Sequence, residues 1–220
     1  MSARRIAVIS AGLSTPSSTR MLADRLTAAT ATALGELTGP DGAPIEVSVD
    51  VVELRDLAHA ITDNLLTGFA SAELESAINT VVSADALIAV TPIFSTSYSG
   101  LFKSFIDVLD PDALRGMPVL LGANAGTARH SLAIDYALRP LFAYLHADTV
   151  STGVFAASAD WGGAGDDVAP LAARIEKGAR ELAEAMARRD ARTGNDPFDP
   201  ANYLGEGGSF GHLLGGLAGE

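Results

Sequence analysis

The chain contains no cysteine among its 220 residues. A disulfide framework, a thiolate nucleophile and a zinc–thiolate site are therefore excluded. Aromatic residues make up only 6% of the chain, and 15 Lys and Arg stand against 27 Asp and Glu. The resulting net charge of −12 argues against nucleic acid as a partner, because its phosphates would be repelled.

Long apolar runs are also missing. No stretch approaches membrane-spanning length, and the first residues lack the apolar core of a signal peptide, which together predict a cytoplasmic protein. The four histidines show no metal-ligand spacing, so we expect no metal site. What the chain does have is 48% apolar residues, enough for a full hydrophobic core. We expect one domain over residues 1–192, followed by a Gly/Pro-rich tail over residues 193–220.

Apolar runs alternate with segments of helical periodicity along the chain. The apolar runs predict strands over residues 4–10, 45–54, 86–90, 118–123 and 149–155. The periodic segments predict helices over residues 19–36, 71–84, 100–109, 130–146 and 168–189. Residues 55–71 have no clear period and are expected to form a long loop with a helical turn or two. This alternation indicates an α/β fold, a doubly wound five-stranded parallel sheet of order 2-1-3-4-5.

The loop after the first strand is rich in hydroxyl groups. Its sequence is Ser10-Ala11-Gly12-Leu13-Ser14-Thr15-Pro16-Ser17-Ser18-Thr19. Hydroxyls and free backbone N–H groups at a helix N-terminus form an anion site. The loop matches neither the Walker A motif nor Gly-x-Gly-x-x-Gly, which weakens the nucleoside triphosphate and dinucleotide interpretations. A mononucleotide phosphate site remains one interpretation, and a simple helix cap is the other.

The loop after the third strand carries hydroxyls and aromatics but little charge. Its sequence is Thr91-Pro92-Ile93-Phe94-Ser95-Thr96-Ser97-Tyr98-Ser99-Gly100-Leu101-Phe102-Lys103, and we expect the strand to break at the proline. This composition suits a flat heteroaromatic ring better than a phosphate or a metal. In the 2-1-3-4-5 order the two loops lie side by side, and Gly126-Thr127 after the fourth strand closes the third side. A pocket with a phosphate end and a flat apolar end describes FMN.

Three motifs carry a resemblance to a known family. They are the Ser10…Ser17-Ser18-Thr19 loop, the segment over residues 91–103, and Gly126-Thr127…His130…Asp135-Tyr136-Ala137-Leu138-Arg139-Pro140. With them the chain resembles the NADPH-dependent FMN reductase family, a branch of the flavodoxin-like fold, over roughly residues 4–156. It is most similar to the flavin reductases that partner flavin-dependent monooxygenases.

The resemblance implies an NAD(P)H-dependent flavin reductase that transfers hydride from NADPH or NADH to FMN. It implies no catalytic side chain, because the chemistry belongs to the cofactor. The phosphate contacts that it implies are Ser10, Ser17, Ser18 and Thr19. The isoalloxazine contacts that it implies are Pro92, Ile93, Phe94, Ser97 and Gly100, with a flavin-edge contact from Gly126 and Thr127.

Two other functions stay open from the sequence. An FMN-containing quinone, azo or chromate reductase would keep the flavin and reduce a different acceptor. A flavodoxin-type electron carrier would match the acidity, although flavodoxins typically use a Thr/Gly-rich phosphate loop. A Ser/His/Asp hydrolase is excluded, because Ser95-Thr96-Ser97-Tyr98-Ser99 has serine at both glycine positions of the nucleophile elbow.

The helix predicted over residues 130–146 carries more large apolar residues than one helix face buries. Pro140 inside it should disturb the hydrogen-bond ladder, as a kink or a π-bulge. Because relatives use this helix at a subunit interface, we expect a homodimer or homotetramer with Tyr136 and Tyr144 at or near the contact. Two interpretations of Trp161 stay open: it lines the flavin rim, or it covers a hydrophobic edge.

The aromatic and leucine residues of the tail also leave two interpretations open. The tail is either a flexible appendage or a segment that docks on a neighbouring subunit, over the flavin pocket. Lys103 and Asp107 are four residues apart in the helix predicted over residues 100–109, and they are expected to form a surface ion pair.

Overall fold

The residues that the structure describes alternate between strands and helices. The structure is a computed structural model that describes residues 2–39, 42–161 and 170–189. The strands are Ser2–Ser10 (β1), Ile45–Glu53 (β2), Ala86–Phe94 (β3), Ser97–Tyr98 (β4), Pro118–Ala125 (β5), Asp148–Thr149 (β6) and Val154–Ala157 (β7). The helices are Ser18–Gly35 (α1), Ala58–Thr67 (α2), Ala72–Val82 (α3), Gly100–Asp107 (α4), Arg139–Tyr144 (α5), Ser158–Trp161 (α6) and Leu171–Ala187 (α7). A 3₁₀ turn at Ala128–His130 and a π-helical segment at Ile134–Leu138 precede α5.

The strands form one sheet whose main path runs β2-β1-β3-β5-β6. All pairings along this path are parallel, β7 also pairs in parallel with β5, and only the short β4 pairs antiparallel, with β3. Since β6 and β7 together fill the fifth position, the predicted order 2-1-3-4-5 is confirmed, and with it the flavodoxin-like doubly wound fold. From β1 the chain first adds β2 on one side and then crosses to add β3 on the other. The position between β1 and β3, where the order of strands reverses, is the switch point of the sheet. On the other side of β1, the strand β2 forms an open edge with Val49 and Val51 more than a third exposed.

Helices cover both faces of the sheet and create two hydrophobic layers. Ile6 and Val8 of β1 pack with the helices α1 and α7, which we call the α1/α7 layer. Ala7 and Ile9 point to the opposite face and pack with residues of α2 to α5, the α2–α5 layer. Successive strand residues alternate between faces, so a strand that is buried on both faces is apolar throughout. This continuity is what made β1 and β3 recognisable in the sequence.

One predicted loop contains a helix. Within the stretch over residues 55–71, the ten residues Ala58–Thr67 form α2, so the expectation of only a turn or two was wrong. The helix buries only Ile61, and its N-cap residue Leu57 makes no side-chain capping bond. Because neither an apolar stripe nor a capping residue marks the segment, its sequence shows no helical signal.

The prediction that the third strand breaks at Pro92 is wrong, because β3 continues to Phe94. The carbonyl oxygen of Val90 accepts a hydrogen bond of 3.0 Å from the N–H of Ala11, just after β1 ends. Alternate strand residues direct their backbone groups to the same side, so the nitrogen of Pro92 faces the space beyond the end of β1. No ladder bond is lost there, which is why a proline is tolerated in this strand.

The fifth strand position is divided into β6 and β7, whereas one continuous strand was predicted. Side chains from two helices replace ladder bonds in the interruption over residues 150–153. Arg139 donates to the carbonyl oxygen of Val150 (2.8 Å), and the carboxylate of Glu181 accepts from the N–H of Thr152 (2.7 Å). Gly153 allows the close approach of Ile134, since a Cβ at this glycine would lie 2.5 Å from that side chain.

The disturbance expected around Pro140 is confirmed. The π-helical segment Ile134–Leu138 ends directly before α5, and Pro140 occupies the first turn of α5. A proline is tolerated at a helix start because its missing N–H would have no partner there. The wider π-helical turns before it accommodate the residue without breaking the path of the chain.

The end of α7 is fixed at the amino edge of the sheet. Arg4 at the start of β1 donates to the carbonyl oxygen of Arg189, and the guanidinium of Arg189 reaches Gly116 and Asp148. The tail predicted over residues 193–220 lies outside the described residues. Across the three described ranges, no helix combines the length and the apolar composition needed to cross a membrane.

Candidate active site

A cleft of about 380 Å³ opens where the carboxyl ends of β1, β3, β5 and β7 meet. This is the edge and the switch point at which doubly wound sheets bind ligands. Four chain segments line it, through Leu13, Ser14, Ser17, Ser18 and Thr19 after β1, Pro92, Ile93 and Phe94 of β3, Asn124, Ala125 and Gly126 at the end of β5, and Ser158 and Trp161 of α6.

Most of the predicted site residues meet in this cleft. Those that line it are Ser17, Ser18, Thr19, Pro92, Ile93, Phe94 and Gly126. Four others do not. Ser10 is fully buried at the end of β1, Ser97 pairs with Phe94, Gly100 begins α4, and Thr127 caps the 3₁₀ turn.

The loop after β1 presents backbone donors to the cleft. Ser17 caps α1, and its hydroxyl accepts a hydrogen bond of 3.2 Å from the N–H of Arg20. Gly12 permits this fold of the loop, because a Cβ there would lie 2.0 Å from the hydroxyl oxygen of Ser17. Ser18 and Thr19 occupy the first turn of α1, where N–H groups have no intrahelical acceptor. The loop therefore offers free donors at the positive end of a helix dipole.

Asn124, which the sequence did not single out, connects this loop to the end of β5. Its side-chain oxygen accepts from the hydroxyl of Thr19 (2.8 Å), and its amide nitrogen donates to the hydroxyl oxygen of Ser18 (2.9 Å). Thr19 is 2% exposed and Asn124 is 7% exposed, so both are shielded from water. Because the Ser18 oxygen already accepts, its hydroxyl hydrogen remains for donation to a ligand in the cleft.

The charge of Arg20 is neutralised beside the loop. Hydrogen bonds to Glu53 (2.6 Å) and Asp24 (2.7 Å) raise the pKa of the Arg20 guanidinium above its ordinary value. The side chain is therefore a protonated structural link between α1 and β2. Any anion in the cleft is held by neutral hydroxyl and amide donors rather than by this arginine.

The opposite wall of the cleft is formed by a tight hairpin. Phe94 of β3 pairs with Ser97 of β4, and the two turn residues, Ser95 and Thr96, have φ angles of 48° and 71°. Such left-handed conformations suit the two-residue hairpin turn but are uncommon for a β-branched residue. The turn leaves Phe94 47% exposed at the rim of the cleft.

A hydroxyl network fixes the base of the hairpin. The buried Thr91 hydroxyl oxygen accepts from the N–H of Ser99 (3.1 Å), and the Ser99 hydroxyl oxygen accepts from the N–H of Phe102 (3.2 Å). The first bond ties the return of the hairpin to β3, and the second caps α4. The predicted surface pair is confirmed further along α4, where Lys103 contacts Asp107 at 2.5 Å.

The third side of the cleft is kept open by Gly126. A Cβ placed on this residue would meet no atom of the described residues within 4 Å other than its chain neighbours, so a side chain here would project into open space at the cleft wall. Trp161 completes the wall and also packs against the α1/α7 layer, as expected for a residue that covers a hydrophobic edge; its contact with a flavin stays a prediction.

None of the described residues that line the cleft is an aspartate, glutamate, histidine, lysine or arginine. Within residues 2–39, 42–161 and 170–189, no group of three or more metal-binding side chains is found. The cleft therefore presents hydroxyls, amides and apolar surface. Such a wall binds and orients a group that supplies its own chemistry, rather than performing acid–base catalysis with side chains.

The flavodoxin-like sheet and its switch-point cleft define a doubly wound α/β protein with a candidate ligand site at the switch point. Comparison with known proteins narrows the class. Residues 4–162 match the model of the family described as NADPH-dependent FMN reductase, and the chain belongs to this family. The predictions of an oxidoreductase that uses FMN and a reduced nicotinamide are thereby confirmed.

Three similar proteins illustrate the relationship. An FMN reductase (NADPH) of Pseudomonas aeruginosa is 36% identical, with 84% of this chain and 94% of that protein covered. An NADH-dependent FMN reductase, SfnF, of Pseudomonas fluorescens is 36% identical over 81% of this chain and 90% of its own length. The crystal structure of an oxidoreductase from Corynebacterium diphtheriae is 45% identical, with a TM-score of 0.77 and coverage of 84% and 98%.

The bridge made by Asn124 gives a direct test of the site. Replacing Asn124 with alanine leaves the buried hydroxyl of Thr19 without its acceptor, so we expect the free energy of unfolding to fall by about 1–3 kcal/mol. FMN affinity should fall as well, because the Ser18 hydroxyl loses its orientation. Urea denaturation and flavin-fluorescence titration measure the two effects. Asn64→Ala on α2 is the matched control, and an equal loss in both variants would contradict the role of the bridge.

Proposed function

We propose that this chain reduces FMN with NADPH or NADH, and that FMN lies in the cleft at the switch point. The observation that carries the proposal is the division of the cleft wall. One end offers hydroxyl and backbone donors, the other offers flat apolar surface, and no ionisable side chain is found between them among the described residues of the wall. This division matches a ligand with a phosphate at one end and an isoalloxazine ring at the other.

The phosphate end consists of the loop after β1 and the start of α1. Ser17, Ser18 and Thr19 would hold the phosphate through the free N–H groups of the first turn and the Ser18 hydroxyl. Asn124 orients that hydroxyl from behind. The buried hydroxyl of Ser10, beneath the loop, makes no hydrogen bond with any described residue. These donors fit a phosphate.

The ring end consists of the β3–β4 hairpin and the end of β5. Pro92, Ile93 and Phe94 provide one flat wall, and Gly126 leaves open space on the other side. Proline contributes a rigid backbone without an N–H, so the wall does not compete for the polar edge of the ring. Ser97, Gly100 and Thr127 would then act by shaping the hairpin, α4 and the 3₁₀ turn, not by lining the wall.

FMN bound in this cleft supplies the hydride-accepting centre. The chain contributes position and environment: the hairpin and Gly126 would hold a flat ring at a fixed angle, and the described residues of the cleft wall place no ionisable side chain beside it. Relatives named for NADPH and for NADH both occur, so both nicotinamides are candidate donors. Supply of reduced flavin to a flavin-dependent monooxygenase is the physiological use that we propose.

Steady-state kinetics test this proposal. The purified chain should oxidise NADPH or NADH with free FMN as acceptor, at about 1 per second or faster. Quinone, azo-dye and chromate acceptors are tested in parallel. Turnover with those acceptors but not with free FMN would favour a flavin-containing reductase of another acceptor. If neither nicotinamide is consumed, while a chemically reduced bound flavin passes on single electrons, the carrier function is correct instead.

The phosphate end is tested with one hydroxyl. Ser18→Ala removes the oriented donor, so FMN binding should weaken by about 1–2 kcal/mol. Riboflavin has no phosphate, and its affinity should stay unchanged in the same variant. Fluorescence titration with both flavins measures the difference. Ser76→Ala on the exposed surface of α3 is the control, and equal weakening for FMN and riboflavin would remove this loop from the phosphate site.

We also propose that the chain forms a homodimer or homotetramer through the π-helical segment and α5. Tyr136 is 79% exposed and Tyr144 is 70% exposed, and Leu132 close by is 60% exposed. Large apolar side chains that stand in water on one segment are typical of a protein contact surface. The partner that we propose is a second copy of the chain.

The association is tested by light scattering after gel filtration at micromolar concentration. The unaltered chain should elute as a dimer or tetramer. Tyr136→Glu together with Tyr144→Glu should lower the molar mass, because two charges would be buried in an apolar contact. Leu66→Glu on α2 introduces one such charge at an 80% exposed site and should leave the mass unchanged. A monomeric unaltered chain would refute the proposal.

A further inference from the structure

Trp161 lies on the phosphate side of the cleft. It is the last residue of α6 and part of the cleft wall. Its side chain packs against the α1/α7 layer, on the face of the sheet where the loop after β1 leads into α1. Ile93, at the ring end, belongs to the α2–α5 layer on the opposite face. The indole is therefore a neighbour of the phosphate donors rather than of the hairpin.

The indole is held from α1. The guanidinium carbon of Arg25 lies 4.8 Å from the centre of the Trp161 ring, a cation–π contact. Arg25 forms no ion pair with any residue in the described ranges, so its charge is not neutralised as that of Arg20 is. This contact places a positive charge behind the aromatic wall, on the phosphate side of the cleft.

The short helix that carries the indole is held from α7. The carboxylate of Asp160 accepts from the N–H of Ala157 (2.7 Å) and pairs with Arg174 (2.6 Å). Arg174 also donates to the carbonyl oxygen of Phe155 on β7. Because these contacts fix α6 to both β7 and α7, they also fix the backbone position from which the Trp161 side chain extends, and Arg25 and the α1/α7 layer contact the indole itself.

The two common flavin nucleotides differ at this end of the cleft. FMN ends in a phosphate monoester, whereas FAD continues through a second phosphate to adenosine. At about 380 Å³, the cleft is near the lower end of the range of about 300–1,000 Å³ for ligand pockets. A bulky ring in the wall that also carries the phosphate donors would stand in the way of that continuation and not of the monoester.

We propose that Trp161, held in place by Arg25, selects FMN over FAD by occupying the space that the adenosine half of FAD requires. The inference rests on the proposed binding of FMN in this cleft. It assigns selectivity to a steric obstacle against the wrong ligand, in addition to contacts with the right one. Arg25 acts as a positioning residue, since it touches the indole and not the flavin.

The test is the ratio of dissociation constants for FAD and FMN, measured by quenching of flavin fluorescence on the full chain. The unaltered protein should bind FMN more tightly than FAD. In Trp161→Ala the ratio should fall by about tenfold, chiefly through tighter FAD binding. Trp161→Phe keeps an aromatic wall and should retain most of the selectivity. Arg25→Gln should lower the ratio less than the alanine variant does, because the ring remains but is held less firmly.

Two results would overturn the inference. One is an unchanged ratio in a folded Trp161→Ala protein, whether or not both flavins bind equally more weakly. The other is selective loss of FAD binding, which would make the indole a platform for adenine. Phe69→Ala, at an 81% exposed aromatic outside the cleft wall, is the matched control, and circular dichroism with thermal melting checks the fold. If the unaltered chain binds no flavin at all, the proposed function fails first, and the selectivity inference fails with it.

Discussion

The side-chain amide of Asn124 is the interaction on which the geometry of the cleft depends. It joins β5 to Thr19 and Ser18 at the start of α1, which lie 105 and 106 positions earlier in the chain. Asn124 is paired in register with Pro92 on the neighbouring strand. The register of the sheet therefore fixes one amide, the amide fixes the Ser18 and Thr19 hydroxyls, and the same strand pair carries the apolar wall. A small displacement of β5 against β3 would disturb both ends of the cleft together.

Electrostatics explain why the donors in the cleft are neutral. The chain has a net charge of −12, yet its family acts on anionic nucleotides. The arginine in the first turn of α1 is occupied by Glu53 and Asp24, so attraction at the site itself comes from backbone N–H groups, hydroxyls and a helix dipole. Fixed dipoles do not lose charge with pH, and they do not offer protons to a reacting ring. A site of this kind holds its ligand by geometry.

The sequence predicted the features that are written into local patterns. Three features were predictable because the residues that determine each of them lie close together in the sequence. They are the continuous apolar strands β1 and β3, the hydroxyl-rich loop after β1, and the irregular helix before Pro140. The misses have no such signal. The helix α2 lacks a capping side chain, and the hairpin after Phe94 lacks the Asn-Gly turn that usually marks one. The interruption between β6 and β7 depends on Arg139 and Glu181, and Asn124 gains its role from partners a hundred residues away, so only tertiary structure reveals them.

The open edge at β2 has a consequence for handling and evolution of the chain. Within the described part of the chain β2 pairs only with β1, so about half of its nine residues direct unpaired backbone donors and acceptors to the outer side, and an uncovered strand edge is a template for pairing with another molecule. The side chains of Glu46 and Asp50 are exposed on this strand, and their negative charges repel the same residues of another copy of the chain. Near the isoelectric point of about 4.6 the net charge approaches zero, so the overall repulsion between copies disappears, and edge-to-edge aggregation becomes the expected failure of the folded protein. Acidity here protects the backbone of a sheet rather than steering a substrate.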